Sequence, residues 1–492
     1  MVLAIDQGTT STRVIIFDQD GRIRGRSQVG LTQHYPKPGW VEHDPEEIWA
    51  TTGEAIRQAL MDGEIKPESL RALGITNQRE TTIVWDRRTG KPIHPAIVWQ
   101  CRRTAEICDR LRAEGWGDEV RKVTGLIIDP YFSATKIRWL LDNVEGAQRN
   151  AERGHLAFGT VDSWLIWKLT GGQAHVTDYT NASRTLLFNI RKRAWEDKFL
   201  NHLKIPRSMM PQVKFSSVMY GKTNCPEVLP KPVTISGVAG DQQAALYGQL
   251  AFEPGQAKVT YGTGCFLLQH TGEKTMISEH GLLSTIGIDQ HGGPAYALEG
   301  AVFNAGSAVQ WLRDGLGIIT TAADSESYAT QVPDTLGVYV VPAFTGMGAP
   351  YWNMSMRGSI FGITRGTGRH HLIRATLESI AYQAADVLDA LMTDSKLPVT
   401  ELRVDGGASR NDFLMQFQAD IIGVPVLRPT MQETSAAGAA LLAGIGAGVW
   451  NHPHQAKALA QPDKVFTPAM SDDQRIAFRQ GWRKAVAAAA AF

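Results

Sequence analysis

Short apolar runs separated by turns rich in Gly, Thr and Asp open the chain. Val2 to Ile5 and Val14 to Phe17 read as strands joined by the turn DQGTTST, and a second turn around Asp20-Gly21 leads to a third strand. The layout recurs between Ala257 and Gln269, where KVT leads into YGTG and then CFLLQ, followed by a strand-like AYAL at 295–298. This echo points to two related halves. Between the hairpins the period changes to that of helices. Asp44, Pro45 and Glu47 form a capping-box start, and Ile48, Thr52, Ile56 and Leu60 then recur at helical spacing. Further helices are predicted over Ala134–Asn143, over His371–Met392 with Ile373, Leu377, Ile380, Ala384 and Leu388 on one face, and over Asp412–Ile422. The most apolar stretch, Ser435 to Trp450, is shorter than a membrane span and holds Ala and Gly as much as Leu, which suits a tightly packed helix. Ala485 to Ala491 suits a terminal helix or a frayed tail. Strands alternating with helices imply a parallel or mixed α/β architecture.

A chain of 492 residues exceeds the size at which one core stops growing, so two domains with a cleft between them are expected. The helix-like AALYGQL gives way to EPGQ at residues 246–256, placing the division at 1–250 and 251–492. Fifty Lys plus Arg balance 49 Asp plus Glu, which disfavours nucleic acid or an anionic membrane as main partner. No basic segment followed by an apolar stretch marks a signal peptide, so a cytoplasmic location without membrane insertion is expected. The four cysteines, Cys101, Cys108, Cys225 and Cys265, form no CxxC pair and have no His at metal-ligand spacing, and read as buried free thiols.

Four segments place Gly, Thr or Asp at strand ends, where α/β proteins bind ligands. DQGTTSTR, residues 6–13, offers backbone N–H groups and the hydroxyls of Thr9, Thr10 and Ser11 to phosphate oxygens, with Arg13 adding charge; an ordinary hairpin turn is the alternative. YGTGCF, residues 261–266, repeats the Gly-Thr chemistry. RVDGGASRN, residues 403–411, leads through a Gly pair to a helix beginning near Ser409, which would accept a nucleotide or would be plain loop chemistry. In GVAGDQQAAL, Asp241 is either a helix cap or a base. Asp6 and Asp241 meeting across one cleft would supply a magnesium ligand and a general base. Gly221-Lys222-Thr223 lacks the earlier Gly of a P-loop, that position being Ser216, and no GxGxxG, HExxH or GxSxG is complete. For a polyol, Arg79 and Glu80 in TNQRETT offer a donor beside an acceptor, while Trp99, Tyr131 and Phe266 offer apolar walls. Read structurally, the same residues would be a solvated surface pair and core aromatics.

Taken together, these segments resemble the FGGY carbohydrate kinases over essentially the whole chain. DQGTTSTR resembles the first phosphate loop, YFSATKIRWLLDN and GMGAPYWNMSMRGSIFGITR the two signature regions, and YGTGCF and DGGASRN the second phosphate and adenosine segments, in the family's order. TNQRE, VWQCRR, DPYF and GDQQAAL are similar to the versions in members that act on glycerol. The resemblance implies an actin-like α/β fold of two ribonuclease H-like domains, mixed sheets flanked by helices, closing over ATP, magnesium and glycerol. It makes Asp241 the general base, with Arg79, Glu80, Tyr131 and Gln242 holding hydroxyl groups and Trp99 and Phe266 forming the apolar wall. Thr9, Thr10, Ser11, Arg13 and Thr263 would hold phosphates, and Gly306, Gln310, Gly407 and Asn411 would line the rest of the nucleotide site. Asp6, near Asp241, would hold magnesium through water. A homo-oligomer, dimer or tetramer, is implied by analogy alone. The alternatives are a family member for another polyol or a ketose, and an actin- or chaperone-like ATPase that phosphorylates no small substrate. Where some bacterial relatives carry a Gly-Arg loop for a sugar bisphosphate or a phosphorylated His, this chain reads TNCPEVLPKPVTI, so neither form of regulation is expected.

Overall fold

The computed structural model describes residues 1–459 and 461–492. Two mixed sheets organise it. The first comprises β1 (Val2–Gln7), β2 (Ser11–Phe17), β3 (Ile23–Gly30), β4 (Ala72–Asn77), β5 (Ser217–Lys222) and β6 (Thr234–Gly240), in the order β5-β6-β4-β1-β2-β3. β1, β2 and β3 are joined antiparallel, whereas β1, β4 and β6 run parallel. The second comprises β7 (Ala257–Tyr261), β8 (Cys265–Gly272), β9 (Leu283–Ile288), β10 (Pro294–Val302), β11 (Leu402–Asp405), β12 (Val426–Pro429) and β13 (Pro462–Phe466), in the order β9-β10-β8-β7-β11-β12-β13. Here β7, β8 and β10 are antiparallel neighbours and β7, β11 and β12 are parallel ones. Each half therefore has two tight hairpins followed by parallel strands reached through helices, the ribonuclease H-like pattern used twice in an actin-like fold. The repeat visible at Ala257–Gln269 is a repeat of topology.

The helices follow from their apolar faces and caps. α1 (Pro45–Asp62) starts at Asp44, whose carboxylate accepts from the Glu46 amide at 2.8 Å, and it buries Ile48, Thr52, Ile56 and Leu60 as the spacing predicts. α2 (Ser133–Asn143) follows DPYF, and α3 (Asp241–Gly248) follows β6 directly. α4 (Arg369–Ser395) runs longer at both ends than the predicted His371–Met392. α5 (Asp412–Ile422) is capped by Asn411, so the helix after the Gly pair starts three residues beyond Ser409, which lies in a 3-10 turn. α6 (Thr434–Gly446) is the Ala- and Gly-rich helix, and α7 (Asp472–Ala491) contains the Ala-rich end. All four cysteines are free and buried. Among the described residues, no helix is long and apolar enough to cross a membrane.

The halves exchange helices. α3 leaves the first sheet and packs on the second: Leu246 clusters with Leu268 of β8, and Gln243 donates to Thr285 Oγ1 at 3.2 Å and to the Ile286 carbonyl at 3.3 Å, both in β9. α6 does the reverse. Ser236 and Ser217 of the first sheet donate to the carbonyls of Ala443 and Leu442, each at 2.8 Å. Glycine makes the α6 dock possible, because a Cβ at Gly74 of β4 would lie 2.2 Å from the Ala439 carbonyl oxygen.

His175 gives this fold an acid-sensitive point. Its Nε2 donates to the Phe158 carbonyl at 2.7 Å while Nδ1 accepts from Arg87 at 2.8 Å, which fixes the neutral ring. Burial, with the Arg87 charge adding to it, lowers its pKa to about 4 from an ordinary 6.5. The unfolded chain therefore binds more protons between these values, so this group's contribution is complete above pH 6.5 and is lost as pH falls to about 4. Denaturant midpoints between these pH values should fall with a shallower slope in H175Q, whose amide can keep both hydrogen bonds without titrating; an unchanged slope would clear His175.

Candidate active site

The ends of the parallel strands β1, β4 and β6 lie side by side, and α3 starts directly after β6. Asp6 is the penultimate residue of β1, paired in register with Arg13 of β2 and Thr76 of β4. Its carboxyl is pushed up to about 7, first by burial and then by the nearby Asp241 and Glu433, against an opposing effect of Arg13. The turn that follows is held from behind: the Gly8 carbonyl accepts from Gln7 Nε2 at 2.8 Å and Gln78 Nε2 at 3.0 Å. Thr10 is exposed and Thr9 and Ser11 half-buried. Arg13 Nη1 lies 3.9 Å from Asp6 but bonds Glu433, next to the start of α6, and Nη2 donates to Gln28 at 3.3 Å. The guanidinium read as a phosphate ligand is thus committed to protein partners.

Asp241 opens α3 with about a third of its side chain exposed. One carboxylate oxygen, Oδ1, accepts from the Gln242 amide at 2.7 Å and lies 3.1 Å from Arg79 Nε. Its backbone is fixed from two sides. Ser435 Oγ donates to the Asp241 carbonyl at 3.1 Å, and the Gly240 amide donates to Thr180 Oγ1 at 2.8 Å, which in turn donates to the buried Asp178 at 2.7 Å. Gln242 is buried and accepts from Lys258 Nζ, which also donates to Thr260 Oγ1 at 2.6 Å; burial lowers this lysine to about 8.

Arg79 and Glu80 are 3% and 1% exposed, so a solvated surface pair is ruled out. Glu80 adopts φ 62°, an unusual conformation for a side chain with a Cβ, and its carbonyl accepts from Ser133 at 3.1 Å and Lys136 Nζ at 3.2 Å. Lys136, wholly buried and lowered to about 7 by that burial, also donates to the Tyr131 carbonyl at 2.6 Å. Trp99 and Tyr131 meet edge to face with centroids 5.6 Å apart, and Trp99 Nε1 donates to Thr9 Oγ1 at 2.9 Å. The aromatic wall is therefore tied to the first phosphate-type turn. Phe266 is half-buried on β8, opposite Thr260 and Ala301 in register, and is not part of that aromatic pair.

In the second half, Thr263 is exposed at the β7–β8 turn, and its carbonyl accepts from the amides of Ala305 and Ser307, each at 3.0 Å. Gly306 closes onto this turn, since a Cβ there would lie 2.5 Å from the Gly262 carbonyl oxygen. Gln310 is exposed at the end of the short helix Gly306–Gln310. After β11, Gly406 takes φ 86° against Tyr261, whereas a Cβ on Gly407 would meet nothing within 4 Å. Asn411 is used as a cap, accepting from the Leu414 amide at 2.9 Å while donating to Ser325 at 3.3 Å.

Asp6 and Asp241 fit magnesium, which is commonly held by one or two carboxylates with water and substrate phosphates completing its shell. Among the described residues no group of three or more His, Cys, Asp or Glu gathers as an all-protein cage. Sequence reasoning missed Arg184, Glu299, Lys136 and Lys258, all buried and each bonded to Arg79, Glu80 or Gln242. A lone Glu in the apolar run AYALEGAV and a lone Lys in AKVTY were the available signals.

Residues 1–248 match the N-terminal domain, and 257–447 the C-terminal domain, of the FGGY family of carbohydrate kinases. The chain is 58% identical to a glycerol kinase of Carboxydothermus hydrogenoformans, covering 99% of this chain and 97% of that one. It is 57% identical to a glycerol kinase of Geobacillus kaustophilus, covering 100% and 99%. Among solved structures, Plasmodium falciparum glycerol kinase with ADP superposes with a TM-score of 0.93 at 38% identity, covering 99% of this chain and 98% of the other.

Proposed function

The chain belongs to the FGGY family of carbohydrate kinases, and on that premise we propose that it transfers the terminal phosphoryl group of ATP to a terminal hydroxyl of glycerol, giving sn-glycerol 3-phosphate. The observation that carries this is the 57–58% identity to two glycerol kinases across nearly the full length of all three chains. The cleft supports it, because Asp241, Arg79 and Glu80 stand together with the Trp99–Tyr131 pair alongside the Thr9 turn. A short polyol needs this combination of a base, a charged donor and acceptor, and an apolar wall.

In this reading Asp241 accepts the proton of the attacking hydroxyl, while Arg79, Glu80, Tyr131 and Gln242 hold the polyol and Trp99 and Phe266 cover its carbon face. Thr9, Thr10, Ser11 and Thr263 bind phosphates from the two turns. Arg13 reaches them only by leaving Glu433. Gly306, Gln310, Gly407 and Asn411 border the rest of the nucleotide. Magnesium, when bound at Asp6 beside Asp241, offsets charge on the transferring phosphate. The cleft lies between units 1–250 and 251–492, whose closure excludes water that would otherwise hydrolyse ATP. A cytoplasmic homo-oligomer, dimer or tetramer, completes the proposal.

Phosphorylation rates across glycerol, dihydroxyacetone, erythritol, xylulose and gluconate test it. Glycerol should give the highest kcat/KM, and ADP release should depend on it. A better rate with any other compound would move the assignment within the family. A glycerol-independent rate of ADP release would point to an ATPase.

A further inference from the structure

We infer that Glu299 and Arg184 are positioning residues for the polyol site, forming a buried ionic chain through which the second sheet sets the direction of Arg79 and Glu80. This rests on the polyol reading above.

Glu299 lies on β10, in register with Leu268 of β8 and Leu283 of β9, yet its carboxylate serves the first half. Oε2 accepts from Arg79 Nη1 at 2.6 Å, and Oε1 accepts from Arg79 Nη2 at 3.2 Å and Arg184 Nη2 at 2.9 Å. Arg184 Nε then donates to Glu80 Oε1 at 2.6 Å. The chain closes on itself, with Arg79 Nε 3.9 Å from Glu80 and 3.1 Å from Asp241. Glu80, Arg184 and Glu299 are each at most 1% exposed and Arg79 only 3%. Burial pushes the Glu299 carboxyl up, but Arg184 and Arg79 outweigh it and hold it at about 2, so it is a charge at every working pH.

The geometry assigns each member a task. Glu299 grips the outer edge of the Arg79 guanidinium in two places, which leaves Nε turned toward Asp241. Arg184 spans Glu299 and Glu80, so Glu80 points the same way as its neighbour although its backbone is in the left-handed region. A guanidinium is planar and forked, and a lysine ammonium cannot make these two contacts in one plane. Without the Glu299 charge, Arg79 has only Asp241 and Glu80 as anions and turns onto them. The polyol would then compete with an internal ion pair, whereas among the described residues no hydrogen bond joins the turns at Gly8–Ser11 and Gly262–Gly264 to these four side chains.

The test measures KM for glycerol and for ATP separately in wild type and in E299Q, which keeps volume and removes charge. Glycerol KM should rise at least about tenfold, equivalent to about 1.4 kcal/mol, with ATP KM changed by less than about twofold. A rise of both together, or of neither, overturns the inference. If E299Q does not fold, R184K serves in its place and should show the same split; unchanged glycerol KM in R184K likewise overturns it. Wild-type turnover with glycerol judges the functional reading on its own. Should the substrate panel identify another polyol, the same comparison is made with that compound, so a wrong substrate is told apart from a wrong role for Glu299.

Discussion

Turnover falls by about three orders of magnitude when Asp241 is replaced by Asn, within the range that a positioned general base supplies, while ATP binds as in the wild type. The substitution is nearly isosteric. An Asn at the start of α3 can still accept from the Gln242 amide and face Arg79 Nε. What is lost is the capacity to take a proton. An alcohol is hardly ionised at neutral pH, so the carboxylate matters as the hydroxyl proton leaves during phosphoryl transfer. The turns read as phosphate sites, Gly8–Ser11 and Gly262–Gly264, do not depend on Asp241 for their backbone hydrogen bonds. Steady-state kcat with saturating glycerol, beside a calorimetric ATP titration of the same variant, separates the effects. Unchanged kcat would remove Asp241 from the base role, and lost ATP binding would make it a nucleotide residue instead.

The sequence made local features readable and left distant pairings obscure. The strands Val2–Ile5 and Val14–Phe17, the cap at Asp44 and the helix Asp412–Ile422 follow from rules that act over a few residues, and the structure has them all. Arg79 and Glu80 were identifiable as a donor beside an acceptor, but their surroundings were not. Their partners Arg184 and Glu299 lie far along the chain on elements that only the tertiary fold brings together. Arg13 is another case of a distant partner. Its place in a Gly-Thr turn suggests phosphate, yet Glu433, more than four hundred residues away, takes its charge. Nor does any local pattern announce that α3 and α6 trade sheets. An Ala- and Gly-rich helix reads as closely packed, without saying against what.

That close packing gives the largest stability effect expected. G438V should cost more than about 3 kcal/mol, at or beyond the upper end for overpacking a core. A Cβ at Gly438 of α6 would lie 1.9 Å from the Ala244 carbonyl oxygen of α3, far inside contact distance, and the obstacle is backbone, not a side chain that can turn away. α6 cannot retreat the other way either, because a Cβ at Gly237 of β6 would lie 2.3 Å from the Ala443 amide nitrogen, and Gly74 of β4 is as close to Ala439. Wedged between helix and sheet, α6 must tilt or α3 must move. α3 carries Asp241, whose carbonyl is held by Ser435 of the same α6, so whatever remains folded should also turn over more slowly. The control is G30A, where a Cβ meets nothing within 4 Å and φ is not in the left-handed region. Denaturant midpoints of the two variants and the wild type decide the matter: a G438V midpoint equal to that of G30A would show that the exchanged helices pack with slack, and that the clasp between the halves is not held by this contact.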